Sequence, residues 1–355
     1  MNYHIGIDQQ SRKRWDEFLA RMPNGNFRQT SGWGTIRKVA GWEPVHIYAE
    51  KDGEIRAALL IFARRIPYLG LSLFYGCRGP TFDWDDVEAI EALMQGVREA
   101  ARRHHAILLR VDPEPGDAEL IRSRMTAAGF LAFDREYTDW NRTQYELRID
   151  LTIPEDEYFS KTIRRVLRQR INSCYKNGIS IEEGLAAGDE LRFFELMSTL
   201  ETVKNAVSHD LSYYTKVLHE IVASGGTLLK AKFEGKTISA MAITFVGNRC
   251  WAVYIANDYA YRKMEPNKLV LWEGIKFAYR KNCTFFDMGA TQGKAYDPEY
   301  PLDSFKLGFR PEVVRFPGFF DLAFKPVWYT IFTFSEFTVV PWVMGLTKKL
   351  RLKNR

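Results

Sequence analysis

Cysteine is scarce, and the four present (Cys77, Cys174, Cys250, Cys283) are scattered without a C-x-x-C spacing. That argues against a structural zinc site and against a disulfide framework, and a reducing cytosol is the plain reading. The chain also lacks a G-x-x-x-x-G-K phosphate loop, a G-x-S-x-G elbow and a His-x-Glu pair. The usual machinery of nucleotide hydrolysis, serine nucleophiles and zinc catalysis is therefore missing. Met1 to Leu19 is polar and charged, with no apolar stretch before a small-residue cleavage site, so a cytoplasmic protein is expected. The excess of positive charge is small: 50 basic against 44 acidic residues give +6, which is mild for a nucleic-acid binder. Where the cations cluster, at 161–170 and 348–355, matters more than their sum.

What is present is enough for two cores. A chain of 355 residues with 46% apolar and 14% aromatic content fits two globular lobes of ordinary size. Helices are expected over Arg12–Met22 and Trp33–Ala40, followed by strands at Val45–Glu50 and Ile55–Arg64 around a tight turn at Gly53. A strand Leu71–Tyr75, a helix Asp86–His104 opened by acidic residues, and an apolar strand Ala106–Val111 running into Asp112-Pro113 complete the unit. The same order returns at Thr227–Phe233, Gly235, Ile238–Phe245, Cys250–Ile255, Lys268–Arg280 and Thr284–Met288, which contains Asp287. Hairpin, strand, helix, strand at a constant offset reads as a duplicated α/β unit. This element order is that of the GNAT acyltransferase fold, which splays two central strands to admit a ligand. The fold class expected is therefore mixed α/β (α+β) with tandem GNAT-like lobes. The first is 1–150, completed by the C-terminal segment 310–355, and the second is 151–309.

Between the lobes, Glu155–Asn177 reads as one helix carrying Lys161, Arg164, Arg165, Arg168, Arg170 and Lys176. Arg164 and Arg168 share a face at 3.6 residues per turn, while Val166, Ile171 and Cys174 are expected inward. No acidic residue stands between 161 and 181 to neutralise this comb, which favours an anionic ligand over a solvated helix face.

Taken together, Gln29–Arg37, Ile107–Pro113, Lys161–Gly178, Tyr254–Asn257 and Phe305–Phe309 resemble the Fem (FemABX) family of peptidoglycan interpeptide-bridge aminoacyltransferases. Gln29-Thr30-Ser31-Gly32-Trp33-Gly34-Thr35-Ile36-Arg37 is similar to the family's Gln-Ser-x-x-Trp helix with a basic residue four places on. The resemblance implies a phosphate contact from Arg37 or its neighbour Lys38. Ile107–Pro113 resembles the strand ending Asp-Pro, which implies that Asp112 lines the substrate cleft. Lys161–Gly178 resembles the family's basic helix, implying a diphosphate contact from Arg164 or Arg168, with Arg168 favoured by counting back from Gly178. Guanidinium forks match phosphate geometry. Tyr254-Ile255-Ala256-Asn257, then Pro266-Asn267 and Leu271-Trp272, resembles the second lobe's strand, loop and helix, and implies that Tyr254 faces the cleft. The most specific match is Phe305-Lys306-Leu307-Gly308-Phe309 after Asp287-Met288-Gly289-Ala290, although the family usually has Gly where Ala290 stands.

The resemblance implies transfer of an amino acid from aminoacyl-tRNA to the stem-peptide amine of a peptidoglycan precursor, lipid II or UDP-MurNAc-pentapeptide. An aminoacyl ester is already activated, so no cofactor, metal or covalent nucleophile is expected. The rate would come from alignment and from stabilising the tetrahedral anion, with Lys306 as the leading candidate, or from Lys306 holding the terminal nucleotide. The ammonium proton would go to Asp112 or to the substrate's own carboxylate. A GNAT enzyme using an acyl-CoA is the alternative, but Arg37–Trp42 fits the required glycine-rich turn poorly. A monomer is expected. After Pro317 an aromatic stretch precedes Lys348–Arg355, so 319–355 reads either as a terminal segment packed on the first lobe or as a peripheral contact with the membrane's inner face.

Overall fold

The computed structural model describes residues 3–9, 11–133, 144–204, 209–291 and 305–336. In chain order the first half comprises β1 (His4–Ile7), α1 (Arg12–Arg21), α2 (Ser31–Val39), β2 (Glu43–Lys51), β3 (Glu54–Ile66), β4 (Leu71–Cys77) and β5 (Thr81–Phe82). It continues with α3 (Val87–Arg103), β6 (Ala106–Asp112), α4 (Ala118–Ala127) and β7 (Leu131–Phe133). The second half has β8 (Tyr145–Asp150), α5 (Arg165–Lys176), β9 (Ser180–Glu183), α6 (Asp189–Lys204), α7 (Leu211–Ala223) and β10 (Thr227–Phe233). There follow β11 (Lys236–Val246), β12 (Arg249–Asn257), α8 (Pro266–Arg280) and β13 (Phe285–Thr291), then β14 (Glu312–Arg315), β15 (Phe319–Ala323) and α9 (Pro326–Phe334).

Both hairpins turn the same way for the same reason. Asp52-Gly53 and Glu234-Gly235 hold positive φ at both central positions, the geometry that matches the twist of a two-residue hairpin. Each hairpin also slips register just before its turn, between Ala49 and Glu50 in one and between Ala231 and Lys232 in the other. The sheets then run in parallel orders: β1-β2-β3-β4-β6-β15-β7, with β5 beside β3, and β9-β10-β11-β12-β13-β8-β14. Place by place, β15 in the first sheet stands where β8 stands in the second. Each is antiparallel to the strand that follows the helix.

That exchange corrects the lobe boundaries read from sequence. β8 (145–150), assigned to the first lobe, is hydrogen-bonded in the second sheet, and so is β14 within 310–355. β15 alone of the described C-terminal strands enters the first sheet. The pattern on β8 explains its place: Leu147 and Ile149 are buried in the second core, while Glu146 and Arg148 point to the seam between the halves.

α3 packs on the first sheet through Ile90, Leu93, Met94, Val97 and Ala101, an apolar stripe at helical spacing opened by an Asp86 cap on the Ala89 amide. α8 does the same in the second, through Leu269, Val270, Trp272 and Ile275. Between 178 and 227, where the sequence pattern assigned no element, α6 and α7 form, and α7 packs against α2 of the other half.

Candidate functional site

The two parallel strand pairs differ. β4 follows β6 to its end, Cys77 opposite Asp112. β12 and β13 pair only over Arg249–Trp251 and Phe285–Asp287, after which β12 stays with β11 and β13 turns to β8 through Gly289, whose φ is +81°. A wedge opens between them. Tyr254 stands on one wall and Gly289-Ala290 on the other.

Lys306 is fixed at the second wall, its Nζ 3.4 Å from the Ala290 carbonyl oxygen. The segment carrying it is clamped from behind. The Gly308 carbonyl accepts from the Arg164 amide at 3.1 Å, and the Tyr158 hydroxyl donates to the Phe309 carbonyl at 2.5 Å. Phe305 meets Phe309 edge-on at 6.2 Å, on the rim of the second core. The sequence-read Phe305–Phe309 element and the arginine helix are therefore one unit.

That helix is broken, contrary to the continuous run expected. Glu155–Thr162 forms a helical turn of its own, Ile163 is extended and α5 starts anew with Arg164 as its N-cap. Val166, expected inward, is exposed, and Leu167 takes the buried place beside Ile171 and Cys174. Arg168 turns one Nη to the Ser160 carbonyl, whereas the exposed Arg164 side chain makes no ion pair among the described residues. Arg170 pairs with Glu265 and Lys161 with Glu157, so acidic neighbours do reach the comb, from outside 161–181.

On the first wall the Tyr254 hydroxyl lies 3.0 Å from that of Tyr213, with the Tyr214 ring edge-on at 5.7 Å. Burial, and then the neighbouring Tyr213, push the Tyr254 phenol well above its ordinary value, with Arg37 opposing. Arg37 thus lies within electrostatic reach of Tyr254. Its guanidinium sits 5.3 Å over the Trp42 ring and 5.8 Å over Phe62, and Arg64 approaches the same indole at 5.3 Å. Neither arginine has an acidic partner among the described residues. Lys38 is exposed, whereas Arg37 is half-buried against these rings.

Asp112 sits elsewhere. It is 4% exposed and takes two bonds from Arg78, 2.9 Å from the amide and 2.8 Å from Nη1. Arg78 reaches on to Glu146 at 2.8 Å, and Arg148 bridges Asp287 and Glu114 at 2.9 Å each. Sequence reasoning missed this network, because Glu146 and Arg148 alternate with apolar residues as a solvated strand face would. Three guanidiniums (Arg28, Arg78, Arg148) face four carboxyls (Asp112, Glu114, Glu146, Asp287). Burial and the adjacent Glu146 push Asp287 up to about 8, while Arg78 and Arg28 hold Glu146 below the usual carboxylate range.

Two tandem halves of one topology, one splayed into a wedge with an amine at its wall, define an acyltransferase of the GNAT kind, and residues 160–300 match the Acetyltransferase (GNAT) domain. The chain belongs to the FemAB family, which matches residues 10–221. It is 25% identical over 335 residues to the UDP-N-acetylmuramoylpentapeptide-lysine N(6)-alanyltransferase of Weissella viridescens, covering 91% of this chain and 96% of that protein. It is 22% identical to the lipid II:glycine glycyltransferase of Staphylococcus haemolyticus, covering 89% and 92%. The crystal structure of FemX superposes with a TM-score of 0.83 at 19% identity, covering 92% of this chain and 99% of that one.

Proposed function

We propose that this enzyme moves an aminoacyl group from aminoacyl-tRNA to the stem-peptide amine of a peptidoglycan precursor, lipid II or UDP-MurNAc-pentapeptide. The observation that supports the reading is the parting of β12 from β13 beyond Trp251 and Asp287, with Tyr254 on β12 and Lys306 against the Ala290 carbonyl of β13, in a chain of the FemAB family. An amine and an ester held in that wedge would react through a tetrahedral anion, which the Lys306 ammonium stabilises in this reading. Arg37, over Trp42, and Arg164, at the head of α5, are the phosphate contacts this reading favours, with Arg168 turned partly to the backbone. Asp112 would have to leave Arg78 before it could take a proton, which favours the substrate's own carboxylate as the acceptor.

The acyl-CoA alternative is disfavoured by one local feature. At the start of α8, where the helix N-terminus would attract a phosphate, Glu265 stands with Arg170 and Lys268 around its carboxylate. The protein acts as a monomer in the cytoplasm, with 319–355 contacting the membrane's inner face, in the same proposal. Of that segment, Phe319 and Phe320 are buried in the first sheet and no residue of α9 is buried, while 337–355 lies outside the described residues. No helix among the described residues is long and apolar enough to cross a membrane. The test incubates purified protein with a mixed charged-tRNA pool or acetyl-CoA, and with UDP-linked or lipid-linked pentapeptide. A product heavier by one amino acid, only in the tRNA arms, is expected. An acetylated product alone, or none, refutes the reading.

A further inference from the structure

The β3–β4 turn presents side chains that the fold itself does not use. Tyr68 is fully exposed, at 106%, and adopts a φ of +66°, where Gly or Asn would be the usual occupant; Leu69 beside it is exposed too. Strand register shows what lies next to them. Arg65 is opposite Ser72, Ser72 is opposite Ala106, and the Ser72 amide bonds to the His105 carbonyl. The amides of Phe324 and Lys325, just before α9, both bond to the Ile107 carbonyl. One end of the first sheet therefore gathers the turn, the close of α3 and the start of α9.

α9 is itself unusual. Its nine residues, Pro326 to Phe334, carry no charge and none is buried; Val327, Trp328, Ile331 and Phe334 are all exposed. Around these apolar groups stand cations. Arg64, Arg65 and Arg102 are exposed and have no acidic partner among the described residues, while Arg103 pairs with Glu99. Aromatic and aliphatic side chains ringed by guanidiniums match an anionic headgroup layer: the apolar tips enter it and the charges stay with its phosphates. An RNA backbone would satisfy the arginines but not Leu69, Val327 and Ile331, which offer no ring for a base to stack on.

We propose that this end of the first half docks on an anionic lipid surface, with Tyr68, Leu69, Val327 and Trp328 inserted between headgroups. The inference deepens the membrane side of the proposed function and rests on it. Arg64 belongs to both sites, since it shares the Trp42 ring with Arg37, so a lipid-linked acceptor would reach the cleft along this face.

The test uses the full chain and vesicles of phosphatidylcholine with or without phosphatidylglycerol. The wild type is expected to cosediment only with phosphatidylglycerol vesicles. Tyr68→Ser/Leu69→Ser and, separately, Arg65→Glu/Arg102→Glu should each lower the bound fraction at least about tenfold, with unaltered thermal unfolding and unaltered transfer to the soluble UDP-linked acceptor. Binding that ignores phosphatidylglycerol, or that survives in both variants, overturns the proposal. So does a charge-reversed variant that loses filter-binding of tRNA while keeping vesicle binding. Absence of transfer to both the UDP-linked and the lipid-linked acceptor would count against the proposed function alone, because vesicle binding is read without it.

Discussion

Lys306 and Asp287 lie near each other in the fold and do different work. Lys306 lies against the Ala290 carbonyl, and in the proposed reaction it is the donor to the developing oxyanion. Lys306→Ala should lower kcat by about 10²–10³, the cost of removing one such donor, with KM for the acceptor nearly unchanged; a rise in KM alone would make Lys306 a binding group. For Asp287, burial and then the neighbouring Glu146 raise the folded carboxyl from 3.8 to about 8. The sign follows from the protons bound. Between pH 4 and 8 the folded chain holds a proton that the unfolded chain has released, so this group's contribution to stability falls as pH rises through that window and is flat above it. Asp287→Asn removes the titration, so the melting temperature of the wild type relative to this variant should decline from pH 6 to pH 9. A constant difference would mean that Asp287 is ionised throughout. The carboxyl was visible in the sequence as a strand-end residue, but its proton was not, because that depends on Glu146, 141 residues earlier in the chain.

At the scale of elements, the tight hairpins were legible because Gly53 and Gly235 carry their turn chemistry locally. The break in the arginine helix was not. No Gly or Pro marks Ile163-Arg164; the chain is pulled straight there by contacts from residues 308 and 309, which accept from the Arg164 amide and the Tyr158 hydroxyl. The closeness of that contact gives a test. A Cβ on Gly308 would stand 2.9 Å from Leu167 Cδ2, inside any real carbon contact. Gly308→Ala should therefore push the Lys306 segment off α5 and cut kcat by about tenfold, in keeping with small displacements at a reacting centre. Adding Leu167→Val removes the clashing methyl, so the double variant should turn over faster than Gly308→Ala alone. Equal losses in the single and double variants would mean that Gly308 matters for its backbone and not for its space.

The whole molecule is two sheets of one topology joined by exchange: β15 returns to the first while β8 and β14 serve the second. Duplication was readable from repeated spacing, whereas the exchange was not, because nothing local distinguishes a strand that pairs within its own half from one that crosses. The seam shows the consequence. Asp112 on β6 and Glu146 on β8 belong to different sheets, and Arg78 binds both while its guanidinium lies 3.6 Å over Phe316. Arg78→Met keeps the apolar stem, leaves buried Asp112 without its cation and leaves Glu146 only the more distant Arg28 and Arg148, so it should cost about 3–5 kcal/mol, as removing one partner of a buried pair does. Adding Asp112→Asn and Glu146→Gln should recover part of that loss. Because the pair spans the seam, urea unfolding followed by tryptophan fluorescence should broaden or split into two transitions in Arg78→Met, with the first half melting apart from the second. A single transition at the wild-type midpoint would mean that the apolar clusters joining α2 to α7 and Phe27 to Trp251 hold the halves together without the charges.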